Sequence, residues 1–225
     1  SEEIKKLRKP TGEKDAPGKT CWEIAATSDE KPKNGLYWID PNGGGISDAF
    51  QVHCIFSDKN IDKTQTCVLP KIKSYDRRRW FESKPTDGHA MFAETFEDDE
   101  FSYNVHKSQI KFLQYLTKKV RQQITVNCRN MVAVYDSKNS TFDNAITLVS
   151  FDEEQIKSQG KRSFRYAIKE DGCKDRSGEW ATTVVEFRAK NEMVKRLPIL
   201  DVGLKDVGGS DQEFSLEVGR ACFNS

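Results

Sequence analysis

Three oxygen-bearing side chains stand close together in the sequence around a run of glycines. Asp40, Asn42 and Asp48 flank the glycines at 43–45. Carboxylate and amide oxygens on a tight loop, with main-chain carbonyls that no side chain shields, are what a hard cation such as Ca²⁺ requires. Residues 36–39 and 50–56 have the composition of strands. We expect a calcium-binding loop between two strands; a glycine-rich turn without metal is the alternative.

This loop follows an EF-hand only in part. Residues 40–45 match the first six positions of the EF-hand loop. The twelfth position, where an EF-hand has a bidentate Glu, is Gln51, and the flanking segments are aromatic and β-branched rather than helical. The pattern therefore indicates a cation loop of another kind.

Residues for covalent or acid–base catalysis are scarce. The histidines are His53, His89 and His106. His53 precedes Cys54, but a Cys–His nucleophilic site needs a free thiolate. The sequence contains no HExxH motif, no GxSxG motif and no phosphate-binding glycine loop. We do not expect an enzyme.

The charge balance limits the partners that electrostatics could hold. The 225 residues contain 36 Lys and Arg against 35 Asp and Glu, for a net charge of +1. This balance argues against a nucleic-acid or membrane partner bound through bulk charge. No apolar run approaches the roughly 20 residues that span a bilayer, so we expect a soluble chain. Its length suits one good-sized core, and two subdomains are the alternative that the length alone would also allow.

The six cysteines favour disulfides over a metal site. They are widely spread, none forms a CxxC pair, and no histidine stands at ligand spacing. An even number of dispersed cysteines indicates an oxidising compartment. The sequence by itself leaves the pairing open.

The clearest helical pattern comes in the middle of the chain. Apolar residues recur there at intervals of three and four, at Ile110, Leu113, Leu116, Val120 and Ile124. This spacing predicts an amphipathic helix that leads directly to Cys128. Strands of a mostly antiparallel sheet are predicted at 131–135, 145–151, 164–168 and 181–187, and the basic segment 70–79 has the composition of a solvated loop or a partner contact.

An ordered set of short motifs resembles the C-terminal propeptide domain of fibrillar procollagens. The set begins with YWIDPN at 37–42, a turn of small residues and a strand ending in Cys54. It continues with WF at 80–81, TDG at 86–88, QIT at 123–125 before Cys128, DGC at 171–173, GEW at 178–180, RLPILDV at 196–202, DQEF at 211–214 and CF at 222–223. The match covers essentially the whole chain.

The resemblance implies a fold class and a division of the chain. The expected fold is α+β, with disulfide-stapled, mostly antiparallel sheets, a few helices and a fibrinogen-like outer lobe. Three chains would form a flower-shaped trimer. Residues 1–20, with Ile4 and Leu7 at helical spacing, would be the end of a coiled-coil stalk and a linker. Residues 21–225 would be a single globular domain, with its base at about 21–80 and its outer lobe at about 81–225.

The resemblance also implies roles for particular residues. The disulfides would join Cys21 to Cys54, Cys67 to Cys222 and Cys128 to Cys173. The Ca²⁺ ligands would be the side chains of Asp40, Asn42 and Asp48 and the main-chain oxygens of Gly43 and Gly45. Chain selectivity would reside in a discontinuous stretch that includes Ser140, Thr141, Phe142, Asp143, Asn144, Asp152, Glu153 and Glu154. Within that stretch we expect Ile146 and Leu148 to face the core and the acids to face a neighbouring chain.

Two departures from the family pattern are informative. Family members carry further cysteines that link chains covalently, where this chain has Thr27 and Gly45. We therefore expect a trimer without interchain disulfides of that kind. The family's usual sequon is replaced by Gln123-Ile-Thr, while Asn139-Ser-Thr forms a different one. Asn139 would accept a glycan in a secreted protein, and an unmodified turn is the alternative.

The function that the resemblance implies is chain assembly. The domain would trimerise, register the chains, nucleate triple-helix formation and keep procollagen soluble before proteolytic removal. Its partners would be two further procollagen chains, in a homotrimer by preference, and the procollagen C-proteinase with its enhancer. The chain would act in the endoplasmic reticulum lumen and then in the extracellular matrix. The alternative is a calcium-dependent, extracellular recognition domain of fibrinogen-like or lectin type.

Overall fold

The computed structural model describes residues 9–78, 88–95 and 100–225. In these ranges the α-helices are α1 (Cys21–Thr27), α2 (Phe92–Thr95) and α3 (Lys107–Tyr115). The strands are β1 (Gly35–Ile39), β2 (Phe50–Ile55), β3 (Gln65–Val68), β4 (Ser74–Arg78), β5 (Ala90–Met91), β6 (Lys119–Arg129), β7 (Thr147–Val149), β8 (Gln155–Ile156), β9 (Ala167–Asp171), β10 (Trp180–Lys190), β11 (Asp201–Leu204), β12 (Glu213–Val218) and β13 (Ala221–Asn224).

Two antiparallel sheets form the framework. The larger one follows the order β1-β2-β3-β13-β6-β10-β9, and β12 pairs with both β6 and β4. The smaller sheet has the order β5-β11-β7-β8. This architecture confirms the predicted α+β class of mostly antiparallel sheets with a few helices. No helix in the described ranges is long and apolar enough to cross a bilayer.

The predicted helix in the middle of the chain is wrong in its second half. Helix α3 ends at Tyr115, and Lys119–Arg129 forms β6. Val120 and Ile124 are four residues apart, a spacing that suits both a helix face and one face of a strand. Burial alternates along β6, and β10, β12 and β13 all pair with it. Cys128 therefore lies within a central strand rather than just after a helix.

Other predicted boundaries also need correction. Residues 131–135 do not form a strand, although Met131, Val132, Ala133 and Val134 are all buried. A short apolar run indicates burial but does not by itself distinguish a strand from an irregular core segment. The predicted strands at 145–151 and 164–168 become β7 and β9, whereas β10 contains all of 181–187. The basic segment is not simply a loop, because β4 pairs with β12.

Three disulfides connect the elements. They join Cys21 to Cys54, Cys67 to Cys222 and Cys128 to Cys173, the same pairs that the resemblance implies. The first joins α1 to β2, the second joins the paired strands β3 and β13, and the third joins β6 to the segment after β9. All six cysteines of the chain are therefore used within it.

The described part of the predicted stalk and linker packs along β1. The amide of Trp38 donates to Gly12 O (2.6 Å), and the amide of Asp40 donates to Gly18 O (2.8 Å). These bonds fix the end of β1, where the glycine-rich turn begins. Ile4 and Leu7, on which the coiled-coil prediction rests, lie outside the described residues.

Candidate functional site

The glycine-rich turn brings the ends of β1 and β2 together. Ile39 pairs with Phe50, so residues 40–49 leave and re-enter the sheet at one edge. The amide of Gly43 donates to Asp40 O (3.1 Å), which closes a tight turn. Gly43 and Gly44 have φ values of +66° and +101°, a region in which glycine avoids the strain of a Cβ atom. A 3-10 turn, Ile46–Asp48, then returns the chain to β2.

A side chain from α3 completes this cluster. The Nδ2 atom of Asn42 donates to Asp48 Oδ2 (2.9 Å). The Nε2 atom of Gln109 donates both to Asn42 Oδ1 (2.9 Å) and to Asp48 Oδ2 (2.5 Å). The structure therefore brings together the three predicted side-chain ligands and adds Gln109, which is buried.

The cluster contains buried side-chain oxygen atoms that have no hydrogen-bond partner among the described residues. Asp40 is 5% exposed, and its Oδ1 atom and Gln109 Oε1 have no hydrogen-bond partner among the described residues. Burial and the negative charge of Asp48 raise the pKa of the Asp40 carboxyl. A cation between the carboxylates would offset both effects. The oxygens present fit a hard cation such as Ca²⁺.

The ligand set is mixed rather than rich in carboxylates. No group of three or more His, Cys, Asp or Glu side chains in the described ranges is arranged to hold a metal. The predicted loop offers two carboxylates and one amide, and it depends on the carbonyls of Gly43 and Gly45 for further ligands. Calcium binding therefore stays a prediction.

The sequence contained a signal for Gln109. Gln109, Leu113 and Leu116 are spaced by four and three residues, so the glutamine lies on the apolar face of α3. A polar side chain on that face must find a partner when the helix packs. The sequence therefore predicts a buried polar contact for this glutamine but does not identify the partner.

The predicted selectivity stretch begins in a loop organised by one buried carboxylate. Asp136 accepts hydrogen bonds from Asn139 Nδ2 (3.0 Å), Asn144 Nδ2 (3.0 Å) and Arg176 Nη2 (3.2 Å). Burial opposes ionisation of Asp136, but the side-chain and backbone hydrogen bonds from Asn139 and the hydrogen bond and positive charge of Arg176 outweigh it and lower its pKa to about 2. Asp136 is also bridged through the backbone to Thr141, so the loop has a defined shape.

In the first group of predicted interface residues, some are packed or hydrogen-bonded within the domain, whereas Asp143 is exposed. Phe142 is partly buried against the core, with its ring 5.0 Å from that of Tyr135, and Asn144 is bonded to Asp136. Ser140 has a φ of +52°, and the carbonyl oxygen of Thr141 accepts a hydrogen bond from the amide of Asp136. Asp143 is exposed, and its side chain has no hydrogen bond or ion pair within the described ranges.

The second group, Asp152, Glu153 and Glu154, follows β7 and likewise contains both a residue bonded within the domain and exposed acids. Asp152 Oδ1 accepts a hydrogen bond from Ser150 Oγ (2.6 Å), and Asp152 Oδ2 lies 3.4 Å from Arg196 Nη1. Glu153 and Glu154 are exposed, and their side chains contact no partner of opposite charge in the described part of the chain. Ile146 and Leu148, which we expected in the core, are both 1% exposed.

The sequon lies on the surface. Asn139 is exposed, and its Nδ2 atom donates to Asp136. An N-linked glycan leaves one hydrogen on Nδ2, so glycosylation and this bond are compatible. Gln123, at the family's usual sequon position, lies on β6 and donates to Glu186 (3.1 Å). Glycosylation of Asn139 remains a prediction.

Fold and site together define a disulfide-bonded α+β domain with an oxygen-rich loop and exposed acidic turns. The chain belongs to the fibrillar collagen C-terminal domain family, whose model matches residues 1–223. It is similar to the collagen alpha-1(II) chain of Gallus gallus, at 36% identity over 98% of this chain. It is also 35% identical to the collagen alpha-2(I) chain of Oncorhynchus mykiss over 98% of this chain. These matches span only 26% and 16% of the two relatives.

Proposed function

We propose that this chain is the trimerisation and chain-registration module of a fibrillar procollagen. The observation that carries the proposal is family membership over residues 1–223. A triple helix that winds from one end needs three chains whose ends are aligned. A trimeric domain at that end supplies the alignment, and while it is attached it keeps the chains soluble.

The partners are two further procollagen chains, in a homotrimer by preference. Because all six cysteines are paired within the chain, contacts between subunits are noncovalent. Asp143, Glu153 and Glu154 are the acids best placed to contact a neighbour, since their charges are not used within the described fold. Charge complementarity of this kind selects partners more than it adds affinity.

The domain acts in the endoplasmic reticulum lumen during assembly and then in the extracellular matrix. The three disulfides support this location, since disulfides persist in oxidising compartments. Procollagen C-proteinase and its enhancer would remove the domain once the triple helix has formed.

Calcium has a structural role in this proposal. Asp40, Asn42 and Asp48, with the carbonyls of Gly43 and Gly45, hold the ion, and Gln109 connects the loop to α3. The bound ion supplies positive charge that fixes this rim and offsets the repulsion between the carboxylates.

Light scattering at micromolar protein tests the proposal, in Ca²⁺ and again with excess chelator. We expect about three times the chain mass of 25.7 kDa in Ca²⁺ and dissociation in chelator. If the trimer persists in chelator, the proposed assembly role stands, but its proposed dependence on Ca²⁺ does not. A monomer in both conditions, also when a stalk is joined before Ser1, would favour the recognition-domain alternative.

A further inference from the structure

A basic groove crosses the open face of the larger sheet, where β6 begins and β10 ends. The groove is a cavity of about 1050 Å³, and among the described residues its lining includes six cations and a single carboxylate, Glu186. The cations are Lys119, Arg121, Arg162, Arg165, Arg188 and Lys190. The chain as a whole carries a net charge of only +1. Positive charge is therefore concentrated here well beyond the average of the molecule.

Four of these cations form a grid on neighbouring strands. In the register of β6 and β10, Lys119 is opposite Lys190 and Arg121 is opposite Arg188. All four side chains are exposed, and the alternate residues of both strands point into the core. Directly opposed pairs are roughly 5 Å apart at Cβ, and next-but-one residues of a strand are roughly 7 Å apart.

Such pairing opposes folding. Like charges directly opposite each other on two strands destabilise a sheet. Here two like-charge pairs follow one another along the same two strands. An arrangement that costs stability and lies on an open face indicates a surface selected for binding rather than for folding.

The one carboxylate in the groove neutralises only part of this charge. Burial opposes ionisation of Glu186, but hydrogen bonds from Arg188 and Gln123 outweigh it and hold its pKa below the ordinary value. Arg121 lies 3.9 Å from the same carboxylate. The side chains of Lys119, Lys190, Arg162 and Arg165 have no ion pair or hydrogen bond to any residue in the described ranges.

We propose that this groove binds a linear sulfated polysaccharide of the glycosaminoglycan class. Each disaccharide of such a chain carries sulfate and carboxylate groups a few ångströms apart, which suits a grid of cations. Arginine guanidinium groups match planar anions with two parallel hydrogen bonds, and the lysines add point charges. All six cations belong to one chain, so the groove needs no residue from a second chain to be complete.

A polysaccharide fits better than an acidic segment of protein. Protein interfaces depend on buried aromatic or aliphatic anchors at their centre. Among the described lining residues, the large apolar side chains Val120, Tyr166 and Phe187 are already buried in the chain's own core. Met193 is partly buried against the same core and Ala167 is small, so the described lining presents no large, fully exposed apolar side chain. Its exposed cations suit a ligand that is itself charged along its length.

Titration calorimetry with a defined heparin oligosaccharide tests this proposal. We expect binding that weakens steadily as salt is raised, because cations released from the polyanion drive association. The double variant Lys119→Gln/Lys190→Gln should weaken binding on the order of tenfold. Its thermal unfolding should not worsen, because the substitutions remove a like-charge pair.

Matched controls distinguish the groove from charge in general. Lys59→Gln/Lys111→Gln removes two exposed lysines elsewhere and should leave binding within about twofold of wild type. The same oligosaccharide without sulfate should bind much more weakly. Equal loss in both double variants, or no binding by wild type, would overturn the proposal. Tighter binding of a polyglutamate peptide than of heparin would identify an acidic protein as the ligand. Loss of the trimer in Lys119→Gln/Lys190→Gln would identify the groove as a contact between chains. Either result would also overturn the polysaccharide proposal.

Discussion

Asp40 illustrates how one residue can be unfavourable for the fold and still suit a ligand. Its carboxyl is buried, one of its oxygens has no described partner, and Asp48 is close enough to raise its pKa. In the absence of a cation these effects destabilise the ionised form. The same features favour the folded state once an ion binds, because binding to the native state alone adds stability.

Replacing Asp40 by Asn should therefore have opposite effects in two conditions. In chelator we expect Asp40→Asn to raise the melting temperature by about 2–4 °C, because it removes the repulsion with Asp48 while keeping an oxygen acceptor. In saturating Ca²⁺ the wild type should gain stability that the variant does not. Differential scanning calorimetry with and without Ca²⁺ measures both effects.

The control for this experiment is Glu30→Gln, which removes one exposed carboxylate elsewhere on the chain. It should leave the calcium-dependent gain unchanged. If Asp40→Asn retained the full gain in melting temperature, the loop would not be a calcium site.

At the scale of elements, context decides between helix and strand. Val120 and Ile124 fit the periodicity of either, and β6 forms because three strands pair with it. Tertiary contacts also shape the loop that follows Val134. There Asp136 accepts hydrogen bonds from Asn139, Asn144 and Arg176. A single carboxylate thus holds the sequon loop and the start of the predicted selectivity stretch in one arrangement.

Asp136→Asn should loosen this loop in a pH-dependent way. The pKa of Asp136 is about 2 in the fold and 3.8 ordinarily, so its charge stabilises the folded state above about pH 4 and this contribution is lost as pH falls toward 2. We expect the variant to lose about 2 kcal/mol of unfolding free energy at neutral pH. Urea unfolding at several pH values measures the difference from wild type.

The difference between Asp136→Asn and wild type should shrink as the solution is acidified from pH 4. A difference that stayed constant down to about pH 2.5 would show that the charge of Asp136 is not what stabilises the loop. Asp143→Asn is the matched control, because Asp143 is exposed and should show no loss at any pH.

At the scale of the whole molecule, the disulfides set how strongly the unfolded chain is constrained. Cys67 and Cys222 are 155 residues apart in sequence, whereas Cys21 and Cys54 are 33 apart. In the chain-entropy model the longer loop contributes about 5 kcal/mol and the shorter one about 4 kcal/mol. The Cys67–Cys222 bond also joins two strands that pair near the centre of the larger sheet.

Replacing Cys67 and Cys222 together by Ala should destabilise the domain more than replacing Cys21 and Cys54. Urea unfolding of the two double variants measures this, and the reverse order would contradict the loop-length argument. For the wild type, we expect an intact mass about six hydrogens below the reduced mass and no covalent trimer on non-reducing gels. A disulfide-linked trimer would refute the prediction of noncovalent assembly.

The sequence by itself determined the family, the α+β class and the cluster of oxygen side chains at 40–48, because these depend on residue types in a fixed order. It also identified Ile146 and Leu148 as core residues, since two large apolar residues that are two positions apart on a strand lie on the same face. The structure decided the rest. Gln109 joins the glycine-rich loop at 40–48 only because α3 packs against it, and the facing pairs Lys119–Lys190 and Arg121–Arg188 exist only in the register of β6 with β10. Contacts between residues far apart in the chain depend on packing and register, which local periodicity does not specify.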